Sequence, residues 1–486
     1  MSVKQQLAHN TVAQISGKII STIFGLVAIG IMTRYLGTEQ FGWYVTTLAF
    51  LQFIAILIDF GLVPVTAQMM SEVPKDLTTA DTTTRESYRR TLMRNLLGYR
   101  ATTAVIGLGL APLIALFFPY PIEVKIAISF TTINMLAVAL NQIFTGYYQS
   151  TLKMYVIVLG EVVGRVALVL GLILCIYFGL GFLPVMGAIT VSSVLFTGVV
   201  WLHARTVTDV GFSYDALIWR RITHKMWPLA VAIMFNVIYL RGDTVILSIF
   251  RDQTEVGMYG AAYRVVDIVA QTAMMIMGLM LPLLAYAWST KNVRQFREHL
   301  QLSFDIMMMF AIPMTAGLMI LAHPIIVFVA GESFAAAALP LSLLALAIFG
   351  VFVGAIFGHV VVAIDRQKQV LPLYALTAGI TLVGYLIFIP TFGMYGAAIM
   401  TLFSEFFIGI LLYRFVYKHA QIALSFQTTG KILFCAGIMC ATLLFTRSIP
   451  LVISILLGAS IYALALVSTR AVSPATIRDI LMIKQK

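Results

Sequence analysis

Apolar residues run along this chain in long blocks rather than in strict alternation. A helix needs about 20 apolar residues to cross a bilayer. Blocks of that size fall at roughly 10–33, 43–67, 93–118, 124–148, 155–179, 181–203, 227–250, 259–284, 303–329, 338–363, 370–390, 392–415, 431–447 and 450–469. At Gly179–Gly181 and at Pro390–Gly393 one apolar run continues into the next. Two full-length helices joined by a tight Gly/Pro turn fit those places better than one very long helix. The pattern predicts an all-α polytopic membrane protein with about 14 transmembrane helices. An even count puts both termini on one side.

Composition strengthens this reading. Of 486 residues, 60% are hydrophobic and 11% charged, against about 25% charged in an ordinary soluble protein. The mean hydropathy is +0.96. A cytosolic enzyme, a disordered scaffold and a repeat solenoid all need more polar surface than this. The first apolar run lacks a small-residue cleavage site and is too long for a signal-peptide core, so it reads as a retained helix. Cys175, Cys435 and Cys440 lie in apolar runs and read as small buried hydrophobes, not as disulfide or metal ligands.

The net charge of +12 comes from 32 Lys+Arg against 20 Asp+Glu. In a soluble protein it would suggest nucleic acid; here it suggests basic cytoplasmic loops, and no nucleic-acid partner is expected. With the N-terminus inside, 24 basic residues, Arg100 counted among them, fall in cytoplasmic segments. Only Arg34, Lys125, Arg251 and Arg447 face out, and four are embedded. This asymmetry predicts a multi-pass inner (plasma) membrane protein with both termini cytoplasmic. The longest outer loop is about ten residues and the longest inner loop, about 68–92, is about 25. Neither can hold a soluble domain, so function resides in the bundle or at its faces.

An internal repeat divides the chain. RYLGTEQFGWY at 34–44 and RDQTEVGMY at 251–259 align Gly42 with Gly257, Phe41 with Val256 and Tyr44 with Tyr259. FGMYGAAIM at 392–400 resembles VGMYGAA at 256–262, and VMGAIT at 185–190 is a fainter copy. Gly42 and Gly257 stand 215 residues apart, the length of six spans with their loops. The expected organisation is an N-terminal six-helix lobe at 1–205, a cytoplasmic linker at 206–226, a C-terminal six-helix lobe at 227–418, and two further helices with a tail at 419–486. Six-helix repeats are an architecture of alternating-access transporters.

A charged residue at mid-bilayer costs about 2.5–3.5 kcal/mol on insertion scales. The embedded set is Lys18, Asp59, Glu161, Arg165, Arg241, Asp243, Arg264, Asp267, Asp305 and Glu405. Glu161 and Arg165 are one turn apart and can neutralise each other; Arg264 and Asp267 are three apart and could pair. Arg241 and Asp243 point to different sides, so each needs a partner elsewhere. Asp59 and Asp305 sit near cytoplasmic span ends, within reach of water. Lys18 lies beside Ser16 and Gly17 with no acid three or four residues away; it either snorkels to the inner interface or faces a central cavity. Spans 1 and 7 are equivalent first helices of the two halves. Lys18 and Arg241 are therefore expected to approach one cleft, and a cleft lined by Lys and Arg suits a phosphate or pyrophosphate.

The chain has no GxxxxGK[ST], HExxH, CxxC or GxSxG motif, and its seven histidines form no ligand pair at helical spacing. No cofactor or metal is expected, and no enzymatic activity. YLRGDTVIL (239–247), EVGMYGAAYRVVD (255–267), RYLGTEQFGWY, the DFGL of Asp59–Leu62 and QIFTGYYQSTLKMY (142–155) resemble the Wzx-type polysaccharide flippases. Those flippases share a superfamily with multidrug MATE exporters and the lipid II flippase. The resemblance covers essentially the whole chain. It implies two pseudo-symmetric lobes around a cavity open alternately to each side. It also implies export of an undecaprenyl-diphosphate-linked oligosaccharide for cell-surface polysaccharide such as O-antigen or exopolysaccharide. Under it, Lys18, Arg165, Arg241 and Arg264 become candidate ligands of the pyrophosphate. Asp59, Glu161, Asp243, Asp267, Asp305 and Glu405 become ion-coupling or structural acids. Related flippases often present arginine where this chain has Lys18. Expected partners are the lipid-linked cargo, the bilayer, and a polymerase and glycosyltransferases. A multidrug exporter, a non-transporting scaffold and a membrane glycosyltransferase stay open as alternatives.

Overall fold

The structure is a computed structural model. It describes residues 3–59, 62–71, 82–151, 153–446 and 449–470. Side chains are described for these residues except at 3–16, 18–19, 56–59, 64, 82–83, 85, 228–233 and 236–240. Fourteen α-helices follow one another among the described residues: α1 (Val3–Asp59), α2 (Leu62–Ser71), α3 (Thr82–Ala115), α4 (Ile122–Ser150), α5 (Tyr155–Tyr177), α6 (Phe182–Val207), α7 (Ala216–Phe250), α8 (Gln253–Ser289), α9 (Val293–Ile320), α10 (Ala322–Ala330), α11 (Ala338–Ala363), α12 (Leu371–Ala420), α13 (Gln427–Phe445) and α14 (Leu451–Ser468). No strand occurs among those residues. Hydrocarbon offers backbone groups no hydrogen bonds, and a helix satisfies its own.

Eleven of the helices are long and apolar enough to cross a membrane. Two of these hold two spans each. α1 breaks at Gly37 (φ 68°, ψ −175°) and α12 at Gly393 (φ 57°, ψ −134°). Both conformations need a residue without a Cβ. The expected outer turn at 34–42 is thus a one-residue interruption between two helical arms. Of the second apolar block, expected at 43–67, residues 43–59 lie in α1 and 62–67 in α2; residues 60–61 lie outside the described residues. The ninth, expected at 303–329, bends at Leu321 (φ −97°, ψ 13°), just before His323–Pro324, into α9 and α10. Large apolar side chains such as Ile106, Phe117, Leu170, Ile387 and Leu464 are exposed, as a lipid-facing surface requires.

The chain forms two compact units, Met1–Gly257 and Met258–Lys486. In the first, α5 packs on α6 and α1, α4 on α6, α3 and α2, and α1 on α7. Leu92, Met93, Leu96, Leu97, Phe144 and Tyr148 are central to a buried cluster at one end of this unit. Near the α3–α4 turn, Phe50, Phe118 and Tyr120 form an aromatic group with centroids 5.3–5.9 Å apart. The Tyr120 hydroxyl lies 3.1 Å from Ser248 Oγ. Burial pushes its phenol up to about 12, so it stays neutral. In the second unit α11 packs on α12 and α9, and α13 on α9 and α14. The Tyr462 hydroxyl donates to the Met309 carbonyl at 2.8 Å and fastens α14 to α9.

The two glycines aligned by the repeat touch each other. A Cβ on Gly257 would collide with the Thr38 carbonyl oxygen and stand 2.9 Å from the Gly42 nitrogen. A Cβ on Gly42 would collide with the Gln253 carbonyl. Thr46 Oγ1 donates to Gln253 Oε1 at 2.6 Å beside this crossing. Backbone meets backbone here, so no rotamer change can make room. Gly257→Val is expected to abolish a monodisperse folded protein. Gly109→Ala, built into open space on α3, is expected to leave the melting temperature unchanged or raise it, because alanine gains about 1 kcal/mol over glycine in a helix. Thermal unfolding in detergent, followed by size-exclusion profile, checks both.

Candidate functional site

Small residues set one helix pair close together. Gly17, Ser21 and Gly25 recur every fourth residue and form a stripe on α1. Such stripes let transmembrane helices approach closely. Gly17 meets Val158 of α5, Ser21 meets Glu161, and Gly25 meets Arg165. Ser21 Oγ donates to Glu161 Oε1 at 2.5 Å. The same carboxylate oxygen stands 3.9 Å from Arg165 Nη2. A Cβ on Gly25 would lie 3.8 Å from Arg165 Nη1. The pairing expected from the one-turn spacing of Glu161 and Arg165 is therefore present, and a hydroxyl from another helix supports it.

The geometry leaves Arg165 available. Its side chain is 42% exposed and that of Glu161 25%. The carboxylate is held short by Ser21 and long by the guanidinium, so the acid is anchored and the cation is not. A guanidinium presents five N–H donors in a planar fork that matches phosphate oxygens. Lys18 follows Gly17 on this stretch of α1; its side chain lies outside the described residues, as does that of Asp59. The expected approach of Lys18 to Arg241 therefore lies outside them too.

The other candidates spread over both units. On α7, Arg241 is half-buried and Asp243 fully buried. Asp243 Oδ1 accepts from the Thr244 amide at 2.6 Å and the Thr244 hydroxyl at 3.1 Å. In the second unit Arg264 and Asp267 of α8 are half-buried. Asp305 of α9 accepts from Gln301 Nε2 at 2.9 Å. Gln301 in turn bonds both the amide and the carbonyl of Ser425, so this acid belongs to the α9–α13 junction. Glu405 of α12 is 4% exposed, packed against Gly350 of α11. One turn earlier, Thr401 Oγ1 lies 3.1 Å from the Tyr385 hydroxyl and 3.4 Å from that of Tyr259. Among the described residues no three His, Cys, Asp or Glu side chains gather as a metal site.

One cation differs from its expected place. Arg100 was expected among the cytoplasmic basic residues, yet it is 2% exposed inside α3. Its Nη2 donates to Gln142 Oε1 at 2.5 Å and its Nε to the Ala139 carbonyl at 3.3 Å. The reason is packing: Arg100 lies on the side of α3 that meets α4, whose Ala139 carbonyl and Gln142 amide oxygen accept from it. Ser21 was also absent from the expected site, although the Gly-x-x-x-Ser-x-x-x-Gly spacing marked it.

With this geometry in hand, comparison with known proteins is informative. A family model described as "Polysaccharide biosynthesis protein" matches residues 31–339. A lipid II flippase MurJ in an inward closed conformation superimposes with a TM-score of 0.75 at 15% identity, covering 97% of this chain and 100% of that one. An inward-facing multidrug resistance MATE family transporter of the MOP superfamily gives a TM-score of 0.66 at 15% identity, over 82% of this chain and 94% of that one. A MOP superfamily transporter from Pyrococcus furiosus, described as having a binding pocket of reverse polarity that suggests a different function, gives 0.59 at 14% identity, over 86% and 96%. Against curated protein sequences the chain has no match. These superpositions establish a MurJ/MATE-like fold, as expected from the residues.

The two arginines should respond differently to removal. Arg100→Leu strands the Gln142 and Ala139 acceptors and is expected to destabilise the protein by about 1–3 kcal/mol. Arg165→Gln removes one loose, part-exposed pair and is expected to change stability by under about 1 kcal/mol. Chemical or thermal unfolding of the two purified variants checks the contrast.

Proposed function

Because the chain belongs to the polysaccharide biosynthesis protein family, we propose that it is a flippase for an undecaprenyl-diphosphate-linked oligosaccharide. In this reading two six-helix lobes, 1–205 and 227–418, alternate access to a shared cleft. The polar head moves from the inner to the outer leaflet while the prenyl tail stays in lipid. The protein sits in the plasma (inner) membrane with both termini cytoplasmic, and it makes no covalent change in its cargo.

The observation that carries this reading is the Ser21–Glu161–Arg165 cluster, a part-exposed guanidinium loosely held inside a bundle helix. Transporters of this fold differ in pocket polarity, as the Pyrococcus furiosus protein's description indicates. Cargo charge must therefore be argued from side chains. Arg165, with Lys18, Arg241 and Arg264, favours an anion. A multidrug exporter for cations would place acids without a neutralising arginine in that position. Asp59, Asp243, Asp267, Asp305 and Glu405 are left as ion-coupling or structural acids, and Glu161 as the anchor of Arg165. Glycosyltransferases and a polymerase would supply and consume the lipid-linked repeat unit.

Sugar hydroxyls and charges cannot cross hydrocarbon without losing their hydrogen bonds. A polar cleft removes that barrier. Moving one charge through 100 mV is worth about 2.3 kcal/mol. A dianionic pyrophosphate leaving a negative interior therefore gains about 4–5 kcal/mol, so membrane potential alone can bias export.

The test is reconstitution in liposomes with a fluorescent polyprenyl-diphosphate oligosaccharide. Protein-dependent passage to the opposite leaflet is expected. An imposed 100 mV potential should favour the positive side by up to about three orders of magnitude at equilibrium. Arg165→Gln is expected to slow passage at least about tenfold, the loss of one charge-assisted contact. Elongation of the sugar chain, efflux of cationic dyes, or binding without passage would each replace this reading.

A further inference from the structure

The segment joining α6 to α7 forms a folded strap across α3. The Ser213 amide donates to the Arg94 carbonyl at 3.2 Å, and a Cβ on Gly98 would collide with the Ser213 carbonyl. Arg94 also pairs with Asp209 at 3.2 Å. Trp219 stands edge-on to both Tyr99 and Tyr214, with centroids 5.2 and 4.7 Å away. Asp215 Oδ1 then caps α7, accepting from the amides of Leu217 and Ile218. The first three turns of α7 are thus held in a fixed orientation.

Those turns have two faces. Ile222 and Met226 are buried in the core cluster, with Ile218 and Trp219 packed against it. Arg220, Arg221, His224 and Trp227 form the opposite face and are exposed, Trp227 at 67%. No acid occurs in α7 between its capping Asp215 and Asp243. Arg221 Nη1 donates to the Tyr88 hydroxyl at 3.3 Å, which aims its fork.

Residues 227–250 rise about 35 Å at 1.5 Å per residue, enough to cross the hydrocarbon. Trp227 then marks the interface, where Trp is favoured. His224, Arg221 and Arg220 follow about 5, 9 and 11 Å below it. That is the headgroup layer, within an arginine's reach of the phosphates.

We propose that this stripe of α7, Arg220, Arg221 and His224 ending on Trp227, binds the headgroup of an anionic phospholipid. Orientation by positive charge requires only that the charges be present. A lipid site also requires a positioned arginine fork and an aromatic anchor at the hydrocarbon edge; Tyr88 positions Arg221, and Trp227 is the anchor. The proposal needs α7 to enter the bilayer near Trp227; it does not depend on the identity of the cargo.

The test titrates fluorescent phosphatidylglycerol into the full-length protein in phosphatidylcholine bicelles and reads anisotropy. Unlabelled phosphatidylglycerol should compete and extra phosphatidylcholine should not. Replacing both arginines (Arg220→Gln with Arg221→Gln) should weaken binding about 30-fold, and Arg220→Gln alone about fivefold. Arg220→Lys with Arg221→Lys should weaken binding at least about fivefold, since the charge is kept and the fork is lost; full retention would overturn the proposal. Arg294→Gln with Arg297→Gln, on an exposed basic segment of α9, should change nothing. Should the double glutamine variant melt early, Arg220→Gln alone decides. Unchanged binding in the glutamine variants, an equal loss in the α9 variant, equal competition by phosphatidylcholine, or displacement by millimolar inorganic phosphate would each overturn the proposal.

Discussion

Hydrocarbon has no hydrogen bonds to give, and the rest of this structure depends on that. Every polar group placed inside must be satisfied by the chain itself. The backbone meets the demand by being helical almost throughout. Side-chain hydroxyls meet it locally, as Thr33, Thr47, Thr190 and Thr377 donate to carbonyls of the preceding turn. Charges meet it across helices: Arg100 through Gln142 and a carbonyl of α4, Glu161 through Ser21 of α1. Helices carrying such groups have to stand close together, and glycine or serine at the crossing allows it.

Much of the fold was legible in the chain because this constraint writes itself into composition. Long apolar blocks have few alternatives to spanning helices. The turns at Gly37 and Gly393 could be placed from glycine next to interfacial residues. Other features carried no such mark. The bend at Leu321 lies inside an apolar block, where hydropathy is blind to a change of helix direction. The burial of Arg100 carried no mark either, because it follows from the packing of α3 on α4, which hydropathy does not report. The contact of Gly42 with Gly257 joins residues 215 apart. Their alignment was readable, but their touching is a matter of packing.

The candidate site was legible in parts. One-turn spacing gave the Glu161–Arg165 pair, because i,i+4 neighbours on a helix have to meet. Ser21 was not foreseen: the Gly17–Ser21–Gly25 spacing marks a close helix approach, but not which helix or which acid the hydroxyl meets. Its effect is to leave the guanidinium part-exposed and only loosely paired. One oxygen of Glu161, Oε1, has both neighbours: the serine holds it at 2.5 Å while the guanidinium stands at 3.9 Å.

The difference between Arg100 and Arg165 follows from the same constraint. Both are cations within apolar helices, and insertion cost alone would rank them together. Arg100 is enclosed, with its fork turned onto α4; any ligand would have to displace protein acceptors and enter a packed core. Arg165 is nearly half-exposed, and its nearest acid is tied elsewhere. A phosphate reaching it gains a charge-assisted contact and breaks only a long one. The cost of burying charge is thus spread over the fold, while the capacity to act on an anion is concentrated where that cost is incompletely offset.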